Sequence, residues 1–347
     1  MARNLLTPPM KQLTLIFILL GIIGIGRTGH AADRWVEYRR FEPNPLQPTP
    51  DIMYAWDSGK YVTLLTPRAN YDKAIIRKLI SSYDRAWEFH LKAAGAPMIK
   101  TPENTINNKA TIAVVVKTCG AGCGRIGAHG IEINEEYFKE EYSSLLNNTR
   151  RRHHIVFYEM GRNFYTYSKQ LSVPGGTEES YNTSINLLYS ISMQFFAIDY
   201  ARIPRENWFI AGRVSGAAFF KDTEEIYQTY LKDKSFNFNN TIRVQKSPQH
   251  QRKTQTYERG GGDLYAAFFF ELARRYGGQK FALRFWKEVG KRPAATSLAT
   301  AVDNLIIAAS KAAGNNLETL FVDEWRFPLS KGAKAELSTF FSNRSAK

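Results

Sequence analysis

The first half of the chain combines short apolar runs with one long stretch of helical period. The runs 61–65, 111–116 and 130–133 are rich in β-branched residues and predict strands. Between the first two runs, apolar residues recur every three or four positions, which predicts a helix over 71–94. The predicted order is therefore strand, helix, strand, strand.

Beyond Arg150 the pattern becomes almost entirely helical. Helical spacing or helix-forming composition predicts helices over 153–169, 184–200, 208–221, 264–276, 280–289, 297–313 and 317–325. Glycines at 260–262 and 277–278 mark the two ends of one of them. Together the two halves predict an α+β fold, with a mixed sheet and helices first and a mainly helical domain after it.

The start of the chain predicts export. Two basic residues precede an apolar stretch from Leu13 to Ile25, and small residues follow it near Ala31. This is typical of a secretory signal peptide over 1–31, because the apolar stretch is shorter than the roughly 20 residues that cross a bilayer. The alternative is an uncleaved anchor, and no second segment is long and apolar enough to span a membrane. We expect a secreted, extracellular or periplasmic protein.

Domain boundaries follow from the same pattern. After the signal peptide, prolines at 43, 45, 48 and 50 interrupt any helix or central strand, so 32–60 is predicted to be an extended lead-in. The α+β domain is expected over 61–200 and the helical domain over 201–340.

Composition adds a basic charge to this picture. The 347 residues carry a formal net charge of +15, of which the predicted signal peptide removes three, and 44% of them are hydrophobic. These values exclude collagen, coiled coils and intrinsic disorder. The two cysteines, Cys119 and Cys123, are separated by flexible glycines, so in an oxidising compartment we expect a disulfide between them. A two-thiolate metal site is the alternative, although no second metal-binding pair follows.

Candidate chemistry lies in the predicted helix that begins near His153. In the HExxH pattern, two histidines four residues apart bind Zn²⁺ and the glutamate acts on the bound water. Here the glutamate is present as Glu159, but Tyr158 and Arg162 occupy the histidine positions. Element order, this helix and short motifs near 268–286 and 312–329 together resemble the gluzincin metallopeptidases, with a tail similar to enhancin-like, mucin-targeting members. The likeness covers roughly 60–337 and implies a zincin-like fold in which an edge strand lines the cleft above the metal helix.

Departures from the gluzincin pattern decide the expected function. The resemblance implies a third zinc ligand from the next helix, for which Glu178 or Glu179 is the candidate, yet a phenol and a guanidinium replace both imidazoles. Such a set does not hold zinc, since zinc sites use at least three N, S or O ligands. We therefore predict no cofactor, and expect Arg162 to pair with Glu159 and with Glu178 or Glu179. On that hypothesis Arg162→Ala costs roughly 3–5 kcal/mol if the group is well buried.

Other readings of the same residues remain open. Glu159 on a solvated helix face is the plainest. A replacement metal site from His129, His154 and Tyr158 is a further alternative, against which adjacent histidines after three arginines indicate a basic helix start on the surface. A serine or cysteine nucleophile has no supporting motif.

The basic charge is concentrated late in the chain. Residues 242–292 contain twelve Lys and Arg against four acids. For an exported protein this favours acidic glycans or an anionic cell-envelope surface as partners, besides a protein or glycoprotein partner, while a solvated face without a ligand is the alternative. No nucleic-acid-binding motif accompanies the charge, so no nucleic-acid partner is predicted.

These observations lead to one expected function and one alternative. The first is a secreted gluzincin-like pseudoenzyme that has lost zinc and peptidase activity and acts as a binding module. The alternative is an active secreted hydrolase, a metal-dependent peptidase that uses Glu159 with zinc or an unusual metal, or another hydrolase that uses Glu159.

Overall fold

Strands of the N-terminal half form a mixed sheet in the computed structural model, which describes residues 33–41, 50–94, 100–101, 104–210, 214–248 and 260–345. The strands are β1 (Arg34–Tyr38), β2 (Asp51–Trp56), β3 (Val62–Thr66), β4 (Thr105–Ile106), β5 (Lys109–Val115), β6 (Gly122–Gly124) and β7 (Ile131–Asn134). Their order in the sheet is β1-β2-β3-β5-β7-β6, and β4 pairs with β5. Among the described strands of this sheet, the β3–β5 and β5–β7 pairs are parallel and the other pairs are antiparallel. The edge strand β6 pairs antiparallel with β7.

Alternation along the strands gives the sheet two apolar faces. Leu64, Ile112 and Ile133 point to the helices and join the main core, whereas Leu65 and Val115 point to the opposite face and pack in a smaller cluster. Successive side chains of a strand point to opposite faces, so runs that are buried on both sides appear as continuous apolar segments. This explains why these strands are visible in the sequence.

Helices make up most of the remaining described chain. They are α1 (Lys73–Ala94), α2 (Glu135–Leu146), α3 (Ile155–Phe164), α4 (Ser168–Leu171), α5 (Glu179–Tyr200), α6 (Gly216–Lys232), α7 (Gly261–Tyr276), α8 (Gln279–Gly290), α9 (Leu298–Ala313) and α10 (Lys331–Ser345). One apolar core runs from the inner face of the sheet through these helices. The fold is therefore α+β, as predicted, with a mainly helical C-terminal half.

A second, three-stranded sheet lies among the helices. It consists of β8 (Arg152–His153), β9 (Trp208–Ile210) and β10 (Val214–Ser215), with β9 in the middle. The helix predicted over 208–221 thus begins as a strand and becomes helical only from Gly216. A short apolar run has no period of its own, so local sequence does not distinguish the two states.

Before Arg150, two long segments differ from their predictions. The first is the expected lead-in over 32–60, which contributes β1 and β2 to the sheet and buries Met53 and Trp56. The second is α2, for which no helix was predicted. No helix among the described residues is long and apolar enough to cross a membrane, and the predicted signal peptide over 1–31 lies outside the described residues.

Candidate functional site

The helix α3 carries the predicted site and is held in place at both ends. Before it, β8 pairs with β9, and the backbone N–H of His154 donates to Phe209. Along its length, Gly161 lies so close to α5 that an added Cβ would come within 3.1 Å of the Cα of Ser190. These contacts fix which face of α3 meets the sheet.

Glu159 lies on that face and is buried, with 3% of its surface exposed. Its Oε2 accepts a hydrogen bond of 2.8 Å from the backbone N–H of Gly124 in the edge strand β6. An added Cβ at Gly124 would lie 2.6 Å from the carbonyl oxygen of Glu159, and one at Gly122 would lie 3.0 Å from its Cγ. The two glycines therefore allow β6 to lie directly over the carboxyl group.

Burial changes the acidity of this carboxyl group. Desolvation raises the pKa of Glu159 to about 7, although the nearby Arg162 and the Gly124 N–H both act to lower it. The Nη1 of Arg162 lies 3.8 Å from Oε2, beyond hydrogen-bond distance, and a third of the Arg162 side chain is exposed. The plain reading of Glu159 on a solvated face is thus wrong, and its pairing with Arg162 is real but loose.

Neither of the two predicted third-ligand residues joins this pair. Both side-chain oxygens of Glu178 accept hydrogen bonds from Arg243, at 3.0 and 2.6 Å. Glu179 is exposed in the first turn of α5. Among the described residues, the carboxylate that pairs with Arg162 is therefore that of Glu159. Glu178 instead binds the guanidinium of Arg243, which lies 65 residues further along the chain, so local spacing does not predict the contact.

The histidines of the alternative metal site lie apart. His154 is at the start of α3, where its Nδ1 is 3.0 Å from Oε1 of Gln194 and its ring is 6.1 Å from that of Tyr158. His129 packs against Trp87, which also contacts Phe164 at the other end of α3. Ten residues of helix span about 15 Å, too far for one metal to bridge.

The two adjacent histidines are buried, contrary to the surface helix start that was expected. His153 packs between the rings of Tyr137 and His154, and its Nδ1 accepts from the backbone of Ile155. Burial lowers the pKa of His153 to about 3 and that of His154 to about 4, so both rings are neutral in the folded protein. Arg152 before them is buried too.

A buried amide close to the site was not found from sequence. Asn163 is fully buried next to Arg162. Its side-chain Nδ2 donates to the backbone carbonyl of Arg125, and its backbone carbonyl accepts from the backbone N–H of Gly127. Among the described residues its Oδ1 has no hydrogen-bond partner. Asparagine in a helix is common enough that its spacing carries no signal.

Glu132 is a second carboxylate that sequence reasoning passed over. It stands between Ile131 and Ile133 in β7 and points to the outer face of the sheet, where it accepts from Tyr38 Oη at 2.9 Å and from the backbone of Phe41 at 2.7 Å. Desolvation raises its pKa. The alternation of β7 places it on the opposite face from Glu159, so the two do not form a catalytic pair.

The predicted disulfide between Cys119 and Cys123 is present. It closes the loop that enters β6, the strand that covers Glu159. Because both sulfurs are bonded to each other, the two-thiolate metal site is excluded.

Zinc does not fit the residues around Glu159. A guanidinium has no lone pair to give to a metal, and its charge opposes a divalent cation. Across the described ranges, no group of three or more His, Cys, Asp or Glu side chains is arranged to hold a metal ion.

Part of the basic segment 242–292 is neutralised, because five of its nine described cations form ion pairs. Arg274 and Arg275 both bind Glu271. The remaining ion pairs of the segment are Arg243 with Glu178, Lys291 with Glu288, and Arg292 with Glu336. Arg252, Lys253 and Arg259 lie outside the described residues. The segment is thus a weaker candidate for an anion-binding surface than its composition indicates.

Comparison with known proteins gives no family. No protein-family model matches the chain, and no curated protein matches it. Two crystal structures of a functionally unknown conserved protein from Bacillus anthracis strain Ames, one of them a mutant, are similar to it. The mutant shares 12% identity with a TM-score of 0.47 and covers 84% of this chain, and the other shares 11% with a TM-score of 0.46 and covers 81%. This chain spans about half the length of either match, at 52% and 50%.

Proposed function

We propose that this chain is a secreted, zincin-like scaffold without zinc or peptidase activity, which acts as a binding module. The observation that carries the proposal is Arg162, which stands four residues after Tyr158 in the place of the second imidazole. Its guanidinium lies 3.8 Å from Glu159. A cation at this point supplies the positive charge that a metal would supply and excludes the metal itself.

The covering of Glu159 also supports a non-catalytic role. A general base must reach the proton it takes, directly or through one water. Here the carboxyl group is 3% exposed and its Oε2 is bound by the Gly124 N–H. Substrate access would require β6 to leave α3, and the close approach at Gly122 and Gly124 opposes that movement.

One observation favours the alternative, an active hydrolase. A pKa of about 7 is suited to proton transfer at neutral pH. Burial without a strong partner gives the same value in a structural carboxyl group, so the raised pKa does not decide between the two functions. Of the two, the pseudoenzyme accounts for both Tyr158 and Arg162.

Metal content and hydrolysis test the proposal. We expect the full chain, purified without chelators and dialysed against micromolar zinc, to hold well under 0.1 zinc per chain and to release no labelled peptide from casein or mucin. Stoichiometric zinc would overturn it, as would hydrolysis that Glu159→Gln abolishes. Glu132→Gln is the matched control, because it removes a buried carboxylate from the opposite face of the sheet.

A further inference from the structure

Helix α1 carries four exposed cations from Lys73 to Arg85. Lys73, Arg77 and Arg85 lie at multiples of four residues, and Lys78 stands beside them; all four side chains are exposed. The exposed Ser81 lies between Arg77 and Arg85. Residues three and four apart are neighbours on a helix surface, so Lys73 and Arg77 are adjacent, while Ser81 separates Arg77 from Arg85. The four cations form a basic row about 18 Å long that winds over about 140° of the exposed face of α1.

Among the described residues, none of the four cations forms an ion pair with a carboxylate. Of the four, Lys73 and Arg77 have the i, i+4 spacing at which like charges weaken a helix. The contrast with the segment 242–292 is clear, since there most described arginines bind a glutamate. A charge row that costs stability and has no internal partner is the pattern of a surface that meets an anion.

Acidic residues on and next to α1 do not fill this role, because each is bound elsewhere. Asp72 accepts from the backbone N–H groups of Ala74 and Ile75 at the start of the helix. Asp84 accepts three backbone N–H bonds from residues 60–62, at 2.6, 2.8 and 3.0 Å.

The third acid, Glu88, pairs with Lys92 and accepts from Tyr200 Oη. The negative groups near the row are therefore turned towards backbone amides or towards Lys92.

We infer that this row of Lys73, Arg77, Lys78 and Arg85 binds a linear polyanionic glycan that bears sulfate or carboxylate groups. An extended chain with anions along its length matches charges that are spread along one helix. Apolar side chains that would enter a membrane are absent from the row, and the large apolar side chains that are exposed in the described residues lie outside α1. Aromatic groups for base stacking are absent from it as well.

The inference deepens the binding role proposed above by naming its partner, but its test does not involve Glu159. The test compares two variants of the full chain that each lose four positive charges. Lys73→Gln, Arg77→Gln, Lys78→Gln and Arg85→Gln are combined in one. Arg274→Gln, Arg275→Gln, Lys280→Gln and Lys287→Gln are combined in the other, which is the matched control.

Binding of a labelled heparin oligosaccharide is measured by fluorescence anisotropy at 0.15 M salt. We expect the α1 variant to bind at least tenfold more weakly than the wild type, with a shallower salt dependence, and the control to change less than threefold. Equal weakening of both variants would show that only net charge matters and would overturn the inference. Loss confined to the control would also overturn it.

Two competition measurements decide the class of polyanion. Double-stranded DNA of equal charge and vesicles containing phosphatidylserine are expected to compete less well than unlabelled heparin. If either competes as well or better in an α1-dependent manner, the glycan assignment fails.

The thermal midpoint of the α1 variant should not fall, since its substitutions remove repulsion. If it falls, Arg77→Gln with Lys78→Gln alone is expected to give at least a threefold loss of binding, and an unchanged affinity in that variant overturns the inference. Zinc or hydrolysis in the wild type would overturn the pseudoenzyme without affecting this result.

Discussion

Two buried glutamates of this chain face an arginine, and they are compensated to very different degrees. Glu141 of α2 and Arg152 of β8 are both nearly inaccessible and form a hydrogen-bonded ion pair. Tyr83 donates to the second oxygen of Glu141 at 3.1 Å, and Arg152 also donates to Ser82 at 2.5 Å. This network joins α1, α2 and β8, and its groups are satisfied.

Glu159 has far fewer compensating contacts than Glu141. One backbone N–H donates to it, and its arginine is 3.8 Å away and partly in solvent. A buried charge is tolerated when a partner and hydrogen bonds replace its water. The Glu141 pair meets that condition and Glu159 does not, and burial raises the pKa of Glu159 to about 7. Glu141 and Arg152 thus form a structural ion pair, whereas Glu159 is buried without enough partners to replace its water.

Breaking the compensated pair is expected to have the largest effect. Arg152→Ala leaves Glu141 buried without its cation, which should lower the free energy of unfolding by about 3–5 kcal/mol. Urea denaturation at pH 7 measures this. Glu141→Gln combined with Arg152→Met removes both charges and should cost clearly less; equal costs would mean that packing, and not the uncompensated charge, dominates.

Glu159→Gln should instead stabilise the fold at alkaline pH. The folded pKa of about 7 exceeds the ordinary 4.5. Between these values the folded state keeps a proton that the unfolded state has lost, so wild-type stability falls as pH rises and the full penalty applies above pH 7. Glutamine avoids it, with a gain of up to about 3 kcal/mol at pH 8 and little at pH 4.5.

The gain is the difference in the free energy of unfolding between variant and wild type, measured by urea denaturation at both pH values. Contributions from other titrating groups cancel in this difference. Glu132→Gln serves as a control with different partners. A loss of stability at pH 8 would show that Glu159 is ionised and well paired.

Arg162→Gln is expected to have the smallest effect, below about 1 kcal/mol at pH 8, because the pair is long and partly screened by solvent. Removing the cation should also raise the pKa of Glu159 further, which carboxyl ¹³C chemical shifts can follow. The expected cost is therefore smaller than the roughly 3–5 kcal/mol that the sequence predicted for a well-buried Arg162. A cost of that size would restore Arg162 as the full substitute for a metal.

Sequence periodicity predicted the elements whose buried side chains recur at a regular spacing along the chain. The helix expected over 71–94 is Lys73–Ala94, because one apolar face repeats along it. It did not predict β1 and β2, whose pairing partners lie across a proline-rich break, nor the burial of Arg152, which depends on Glu141 in a helix that was not predicted.

At the site, sequence placed Glu159 and Arg162 together because i, i+3 spacing fixes that contact. It could not place Gly124 over the carboxyl group or bring Arg243 to Glu178. Both contacts depend on how the sheet and helices pack, which the local spacing of residues does not predict.

The aromatic surroundings of α3 have a consequence for acid resistance. His90 stacks on Phe164 there, and burial lowers its pKa to about 3, as it does for His153, with His154 at about 4. Unfolding frees these rings to take up protons below their ordinary value of 6.5. Their contribution is therefore complete above pH 6.5 and is lost as pH falls towards 3. Three buried neutral imidazoles in one core therefore lower the stability of the fold as pH falls below 6.5.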